Sequence, residues 1–397
     1  MKQKLDTASR LLIGVTLFSM FFGAGNLIFP PYLGFEAGQN TIQAFLGFTL
    51  TAVVCPVLGV AAVAKAGGLD ALCEKVHPKF GLIFSVLIYL CIGPMLAIPR
   101  TAGTSYSMFS FLTDLLGEGK VLGINIQILV RAFFSFFFFL GAGCIAKHPE
   151  KLRELLGKRM TPVLLVLILV MFAGGIAHIS LPNAQAAARY ESGALLTGFV
   201  DGYQTMDTMA AMVFGIIIAL NLRDMGVTDG NAVAGETIKS GIVAGIFLAA
   251  VYGMLAFLGV KAGSIAPDAT NGTAILTALC STFFGRAGAV LLALIFFIAC
   301  FNVCVGLISS CAKFFAEQFP VLGFDQWRWL LTIWSFGISI MGLDFILSIS
   351  VPILSLLYPT AIAIILVNIL PFSFLQKSLV QRIIVAFALI CGIMSVI

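Results

Sequence analysis

Phe21-Phe-Gly-Ala-Gly-Asn-Leu-Ile-Phe-Pro-Pro31 interrupts the first apolar segment of the chain with two glycines, an asparagine and two prolines. That segment runs from Leu11 to Phe35, carries no charged residue and is long enough to cross a bilayer. A break at this depth is tolerated only where the freed N–H and C=O groups line a cavity or meet a ligand. The break therefore predicts a binding site inside the membrane, and in a protein with many spans it is typical of a transporter.

Composition indicates an integral membrane protein. Apolar residues make up 60% of the 397 residues and charged residues 10%, against about 25% charged residues in a soluble domain. The mean hydropathy is +1.07, and because apolar segments extend along the whole chain we expect no cleaved signal peptide. The nine cysteines fall mostly within these segments without paired spacing, which favours small buried hydrophobes over disulfides or a metal site.

Hydropathy and length predict eleven spans in a single membrane domain covering residues 1–397. The predicted spans are 11–35, 41–64, 80–112, 121–146, 160–180, 193–221, 238–260, 286–312, 327–343, 346–369 and 379–397. Lys and Arg lie mainly in the loops on the side of the N-terminus, so we expect the N-terminus in the cytoplasm. Residues 273–284 are interpreted either as a short amphipathic helix or as an interfacial loop.

The sixth span repeats the anomaly of the first. Residues 198–208 place two carboxylates, an amide, two threonine hydroxyls and two glycines within an apolar stretch. Two broken helices five spans apart predict an inverted repeat, with one half at about 11–180, the other at about 193–369 and a peripheral helix at 379–397. Half-helix N-termini would offer N–H groups to a carboxylate, and half-helix C-termini would offer carbonyls to a cation.

Apart from Arg100, no cluster of charges lies at the presumed midplane, so a doubly charged substrate would have little to pair with, whereas the two breaks could hold an amino acid. N–H groups at the glycines would hold its carboxylate, and apolar side chains would surround its side chain. The predicted substrate-binding residues are Phe21, Gly23, Gly25, Gly202, Tyr203, Thr205 and Met206. Because one methylene changes binding by only about 1–3 kcal/mol, we expect several large aliphatic amino acids, including methionine, to be accepted.

Arg100 is the residue of the predicted spans that is most unfavourable to insert into the membrane. Placing an arginine at the middle of a spanning helix costs about 2.5–3.5 kcal/mol. It is interpreted either as part of a structural ion pair or as a gate and counter-charge. Asp201 and Asp207 are the acidic residues placed well within a span, so one of them is its expected partner. For the two aspartates, helix capping, cation coordination, proton coupling and gating all remain open.

Five separated motifs, in order along the chain, resemble the bacterial branched-chain amino acid:cation symporter family. They are Phe22-Gly-Ala-Gly-Asn-Leu-Ile-Phe-Pro-Pro31, Gly93-Pro-Met-Leu-Ala-Ile-Pro-Arg-Thr101, Gly198–Asp207, Asn271-Gly-Thr-Ala-Ile-Leu276 with Phe284-Gly285, and Leu357-Tyr-Pro359. The resemblance implies a LeuT-type fold and import of leucine, isoleucine and valine, coupled to a cation that is usually sodium. It also implies a location in the bacterial cytoplasmic (inner) membrane.

The resemblance further implies where the cation would bind. Its ligands would be carbonyls of Ser19 and Phe22 on helix one and of Ala299 on helix eight, followed by side-chain oxygens. The family usually carries Cys-Leu-Thr-Thr-Ala there, whereas this chain reads Cys300-Phe-Asn-Val-Cys304. Asn302 can still supply an oxygen, or it can serve as a helix–helix hydrogen-bonding residue, but Val303 supplies none. The resemblance implies sodium coupling, and the missing hydroxyl ligand leaves proton coupling or uncoupled exchange as alternatives.

Other functional classes fit the sequence poorly. An enzyme would need a catalytic constellation, and His77, His148 and His178 are not paired with acidic residues or cysteines at ligand spacing. A channel would need a continuous polar face or rings of charge. The prediction is thus a secondary active importer of large aliphatic neutral amino acids, namely leucine, isoleucine, valine and methionine, without a bound cofactor or a nucleic-acid partner. The rival is a proton-coupled or exchanging permease of the same fold for another neutral amino acid; the oligomeric state is left open.

Overall fold

The computed structural model describes residues 5–109, 120–121, 124–147, 160–177 and 184–395. Parts of the predicted spans 80–112, 121–146 and 160–180, together with His148 and His178, lie outside these residues. Apart from the two-residue strands β1 (Lys120–Val121) and β2 (Ile124–Asn125), the regular structure of the described part is helical.

In the described part of the chain, helices lie in each of the eleven predicted spans, but several of them are interrupted or begin and end elsewhere. The first half contains α1 (Thr7–Phe21), α2 (Ala24–Ala37), α3 (Thr41–Thr49), α4 (Cys55–Ala66), α5 (Leu69–Glu74), α6 (Pro78–Leu90), α7 (Ala97–Ser107), α8 (Ile126–Ile145) and α9 (Thr161–Ala177). The second half contains α10 (Ala188–Glu191), α11 (Ala194–Asp201), α12 (Asp207–Asp224), α13 (Gly230–Lys261), α14 (Gly272–Gln318), α15 (Phe324–Ser339), α16 (Leu343–Ile369) and α17 (Ser378–Met394).

Within the described residues, six helical segments, several of them kinked, are long and apolar enough to cross a membrane, and α11 with α12 makes a seventh if the bent pair is one span. The six segments are Ala24–Ala66, Pro78–Ser107, Ile126–Ile145, Gly230–Lys261, Gly272–Gln318 and Leu343–Ile369. Residues 273–284 are helical and form the first part of α14, which is kinked at Gly285, where φ is 56°. The helical interpretation of that segment is therefore the correct one.

The first break separates α1 from α2 by only Phe22 and Gly23. The last carbonyls of α1 and the first N–H groups of α2 consequently have no partners within a continuous helix. The sequence suggested that both prolines belong to the break, and this is wrong, because Pro30 and Pro31 lie inside α2. Each proline removes one hydrogen bond to the carbonyl four residues earlier, so α2 tolerates them only at the expense of further freed carbonyls.

The second break lies between α11 and α12, whose axes are bent by 46°. It consists of a 3₁₀ turn, Gly202–Thr205, followed by Met206 with φ of 67°. Met206 has a left-handed conformation, which costs a residue with a side chain about 1–3 kcal/mol and is typical of functional sites. A further break between α6 and α7, at Gly93 and Pro94, was not predicted.

Glycines bring α2 into backbone contact with its neighbours. A Cβ added to Gly259 of α13 would lie 1.9 Å from the Pro31 carbonyl oxygen, and one added to Gly272 of α14 would lie 1.8 Å from that of Ile28. No side chain fits at either position, so these helices pack closely on α2. This packing fixes α2 at the centre of the domain, next to the second break.

The two membrane faces are identified by ion pairs. Arg10 of α1 pairs with Glu236 near the start of α13 at 3.0 Å, and this defines the N-terminal face. Arg189 of α10 pairs with Glu36 at the end of α2 and with Asp201 at the end of α11, each at 3.0 Å, and this defines the distal face.

Candidate functional site

The two breaks meet at a small enclosed cavity. Its lining comes from α1, α2, α7, α12 and α14 and includes Met20, Phe21, Gly23, Ala24, Gly25, Asn26, Ile92, Ala97, Arg100, Thr101, Thr205, Met206, Asp207, Ala210, Val303 and Leu307. Its volume of about 20 Å³ accommodates about one water molecule, so the site is contracted in this conformation. Both half-helix ends and several apolar side chains nevertheless converge on it.

Five of the seven predicted substrate residues line this cavity, namely Phe21, Gly23, Gly25, Thr205 and Met206. The other two lie outside its wall. Gly202 packs against α3 and the following π-helical turn, Leu50–Val54, because a Cβ there would lie 2.0 Å from the Thr51 hydroxyl oxygen. Tyr203 stacks on Tyr358, with 4.5 Å between the ring centroids. In this conformation the two residues therefore do not line the cavity, and their role in substrate binding stays a prediction.

Arg100 is bound to the second break rather than to a carboxylate. Its side chain is buried, and its two terminal nitrogens donate to the carbonyl oxygens of Gln204 at 2.9 Å and Thr205 at 3.3 Å. Its Cζ lies 5.8 Å from the centroid of the Phe29 ring. The predicted ion pair with an aspartate is thus wrong. The 3₁₀ turn presents carbonyls that need donors, and the guanidinium satisfies them.

Asp201 lies on the distal face, away from Arg100. It accepts from Arg189 Nη1 at 3.1 Å and also from the hydroxyl of Tyr190. Because Arg189 also contacts Glu36, the short helix α10 joins the end of α2 to the end of α11. Burial and the neighbouring Asp201 carboxylate raise the pKa of the Tyr190 hydroxyl. The phenol therefore stays a donor to Asp201.

Asp207 joins the two breaks inside the membrane. Its Oδ2 accepts from Asn26 Nδ2 at 2.6 Å and from the Tyr252 hydroxyl at 2.6 Å. Asn26 in turn accepts from the Gly23 N–H through Oδ1, at 2.9 Å, and its amide nitrogen also contacts the Tyr252 hydroxyl. A chain of hydrogen bonds therefore runs from the backbone of the first break to the first residue after the second.

The four residues predicted to hold a cation are all buried where α1 packs against α14. Asn302 Nδ2 donates to Ser19 Oγ at 3.2 Å, while its Oδ1 is buried and has no hydrogen-bond partner among the described residues. Phe22 and Ala299 have no exposed surface. Val303 faces the first break, because a Cβ on Gly23 would lie 2.8 Å from its Cγ2. An unsatisfied carbonyl oxygen of this kind is a suitable cation ligand.

The sequence missed Asn26 and Tyr252 as site residues. Asn26 had a signal, since it is a polar residue in the middle of a charge-free span. Tyr252 had none, because one tyrosine in an apolar helix is usual and only packing brings it to Asp207. Ile92, Ala97 and Leu307 likewise carry no signal that distinguishes cavity lining from ordinary core.

A larger cavity of about 290 Å³ lies toward the N-terminal face. Its lining includes Gly67, Asp70, Tyr89, Ile217, Asn221, Asp224, Ser310, Lys313 and Glu317. Along α12, Phe214 lies between Ala210 of the small cavity and Ile217 of the larger one. Phe214 is fully buried and its ring centroid lies 6.1 Å from that of Phe21. The two phenylalanines thus stand between the central site and this face.

Comparison with curated proteins gives matches over almost the whole chain. The sequence profile described as "Branched-chain amino acid transport protein" matches residues 6–397. The branched-chain amino acid permease BraB of Bacillus subtilis (strain 168) is 36% identical over 385 residues, covering 96% of this chain and 83% of that protein. The branched-chain amino acid transport system 2 carrier protein of Pseudomonas aeruginosa is 38% identical over 360 residues, covering 90% and 80%.

Solved transporter structures share the fold. MhsT in complex with L-phenylalanine has a TM-score of 0.54 at 17% identity, covering 99% of this chain and all of that one. Mhp1, a nucleobase-cation-symport-1 family transporter with bromovinylhydantoin bound, has a TM-score of 0.58 at 12% identity, covering 98% and 91%. At these identities the likeness concerns the fold, and it confirms the predicted LeuT-type architecture with breaks in helices one and six.

Proposed function

Since this chain belongs to the family of branched-chain amino acid transport proteins, we propose that it is a secondary active importer of leucine, isoleucine and valine, and of methionine as an unbranched analogue. In this proposal, transport is coupled to a cation, most simply sodium, and proceeds by alternating access. The observation that carries it is the convergence of two half-helix breaks on one apolar cavity.

The substrate carboxylate would bind at the start of α2. The N–H groups of Ala24 and Gly25 have no helical acceptors there, and the helix dipole favours an anion. Gly25 has no room for a side chain, since an added Cβ would lie 2.7 Å from Arg100 Nη2 and 3.0 Å from the Thr205 carbonyl oxygen. The backbone of the first break therefore lies directly against the second break. Thr205 would complete the polar end of the site.

The aliphatic side chain of the substrate would lie against Phe21, Met206 and Ile92. These side chains line the cavity and bring no charge to it. A site without charge around the side chain favours aliphatic groups over polar ones, because burying an unpaired polar group is costly. It would separate leucine, isoleucine and valine from one another only weakly.

The cation would bind between α1 and α14. The unpartnered Asn302 Oδ1 supports this placement, and the last carbonyls of α1 would supply further oxygens. The hydrogen bond between Asn302 and Ser19 shows that both helices reach this point. Because α1 ends at the substrate cavity, a cation there would stabilise the same arrangement of the break that the substrate requires.

Alternating access would expose the central site first to the distal face and then to the N-terminal face. The cavity of about 290 Å³ supports an opening on the N-terminal side, with Phe21 and Phe214 as the closed barrier in this conformation. The excess of Lys and Arg in the loops of that side supports a cytoplasmic location for it. Substrate would therefore move from the distal, external face into the bacterial cell across its cytoplasmic membrane.

Uptake of radiolabelled leucine and methionine into proteoliposomes tests the proposal, with sodium and pH gradients imposed separately. We expect accumulation above empty liposomes when sodium is higher outside. Absence of uptake of either amino acid under every gradient would overturn the substrate assignment. Equal uptake driven by a pH gradient without sodium would overturn sodium coupling and favour the proton-coupled alternative. Accumulation only by exchange for internal amino acid would favour the exchanging permease.

A further inference from the structure

Asp207 is a carboxylate in the membrane interior without an ion pair. The residue is 1% exposed, and none of the ion pairs in the described part of the chain includes it. Arg100, the nearest buried cation of the site, gives its terminal nitrogens to the Gln204 and Thr205 carbonyls. Burial away from water disfavours the charged form of a carboxylate unless a counter-charge is present. The group is therefore suited to bind a positive charge during the cycle.

The groups around Asp207 are hydrogen-bond donors, which argues for a proton rather than a metal ion. Its carboxylate accepts from the amide nitrogen of Asn26 and from the hydroxyl of Tyr252, both at 2.6 Å, and the Thr205 side chain is a further hydrogen-bond partner. A metal ion would need several oxygen acceptors in their place. The other titratable or charged groups that interact electrostatically with Asp207 are Arg100 of α7, Tyr252 of α13 and Tyr358 of α16.

Asn26 connects this carboxylate to the proposed substrate site. While its Nδ2 donates to Asp207, its Oδ1 accepts from the Gly23 N–H, so that N–H is occupied. A protonated Asp207 carries an O–H that needs an acceptor. If the Asn26 amide turns to accept that O–H through Oδ1, the Gly23 N–H is released into the cavity and can donate to a substrate carboxylate.

We propose that Asp207 takes up one proton when the amino acid binds, and that Asn26 links the two events. This inference rests on the proposed function and adds a proton site that is separate from the cation position at Asn302. The proton comes from water, is held on Asp207 with the substrate in place, and returns to water when the substrate leaves. The substrate carboxylate favours the uptake, because two carboxylates in one enclosed site repel each other.

Proton uptake on binding can be measured directly with the purified protein in detergent. Leucine is added at constant sodium to a weakly buffered solution containing a pH indicator, and radiolabelled leucine binding is measured in parallel. We expect about one proton taken up per leucine bound at neutral and alkaline pH, falling to none at acid pH where Asp207 already carries its proton. Binding without proton uptake over this whole range would overturn the proposal.

Two variants and one matched control identify the group. Asp207→Asn should bind leucine without taking up a proton, whereas Asp201→Asn, which removes the other carboxylate of the same span, should retain the uptake. Tyr252→Phe removes a donor to the charged carboxylate, so the pH at half-maximal uptake should rise. Uptake that persists in Asp207→Asn would assign the proton to another group and refute the proposal.

The Tyr252→Phe variant keeps the proposal testable if Asp207→Asn does not fold. An unchanged pH profile in a folded Tyr252→Phe protein would contradict a site at Asp207. If the unmodified protein binds no leucine or methionine at all, the proposed function fails instead. The two failures are therefore distinguishable.

Discussion

Asn302 and Ser19, 283 positions apart in the chain, are joined by a hydrogen bond of 3.2 Å that leaves Asn302 Oδ1 buried and unpartnered. The amide thus uses its donor side to hold α14 against α1 and keeps its acceptor side unused. Nearly every buried polar atom in a well-packed interior has a partner, and an unpartnered carbonyl oxygen can accept from a donor or ligate a cation. The free oxygen supports the cation position that we propose between α1 and α14.

Val303→Thr tests whether that position is a sodium site with one ligand missing. The substitution nearly preserves shape and adds a hydroxyl on the surface of α14 that faces Gly23. If the hydroxyl binds the ion and contributes about 1.4 kcal/mol, the sodium concentration for half-maximal leucine uptake should fall about tenfold. Val305→Thr, at a buried neighbouring position of the same helix, should not lower it. An unchanged sodium dependence in Val303→Thr would exclude a cation role for this part of α14.

Arg100→Lys tests whether the two hydrogen bonds from Arg100 to the second break are needed for transport. Lysine keeps the charge but cannot reach two carbonyls with a planar fork, so at least one carbonyl of Gln204 and Thr205 loses its donor. A buried acceptor left unpaired costs about 1–3 kcal/mol. We expect leucine uptake to fall at least about tenfold at equal protein amount, which corresponds to about 1.4 kcal/mol. Arg286→Lys, at an exposed position of α14, serves as the matched control. Normal uptake by Arg100→Lys would show that the fork is dispensable.

Gly259→Ala and Gly337→Ala test the close packing of α2. A Cβ on Gly259 would lie 1.9 Å from the Pro31 carbonyl oxygen, so α13 and α2 must separate. Overpacking of this kind costs about 1–3 kcal/mol or more, and we expect a lower thermal unfolding midpoint in detergent. Gly337 of α15 has no atom within 4 Å of an added Cβ, and alanine there should leave the midpoint unchanged or raise it. Equal midpoints for the two variants would contradict the packing described for α2.

Lys313→Cys and Lys261→Cys test the orientation in the membrane. Lys313 lines the cavity at the N-terminal face, and Lys261 ends α13 at the distal face. A membrane-impermeant thiol reagent should label Lys313→Cys in inside-out vesicles and Lys261→Cys in right-side-out vesicles. The unmodified protein gives the background from the exposed native cysteines, Cys144 and Cys391. The opposite labelling pattern would place the N-terminus outside the cell.

Both breaks could be predicted because glycine, asparagine and carboxylates are costly within a spanning helix. What each freed group contacts could not be predicted, since it depends on which helices pack together. Arg100 illustrates this limit. Its cost in the membrane was evident, but the sequence offered two aspartates as partners and gave no sign that two backbone carbonyls would bind it.

Local pattern also misplaced the boundaries of the breaks. Pro30 and Pro31 suggested that the first break extends to residue 31, yet α2 continues through both prolines because α13 and α14 pack directly on its backbone. The role of Tyr252 could not be predicted from the sequence for a related reason. Its hydroxyl matters only because α13 brings it within 2.6 Å of Asp207.

The contact between Gly272 and Ile28 has a mechanical consequence. Because the start of α14 packs on the backbone of α2, we expect the segment from Gly272 to Phe284 to move together with α2. The rest of α14 is anchored to α1 through Asn302 and Ser19. Gly285, with its φ of 56°, is the kink that connects the segment packed on α2 to the part of α14 that is bonded to α1. In the proposed alternating-access cycle, a residue that cannot adopt this positive φ would stiffen the kink and hinder the exchange between the outward-open and inward-open conformations.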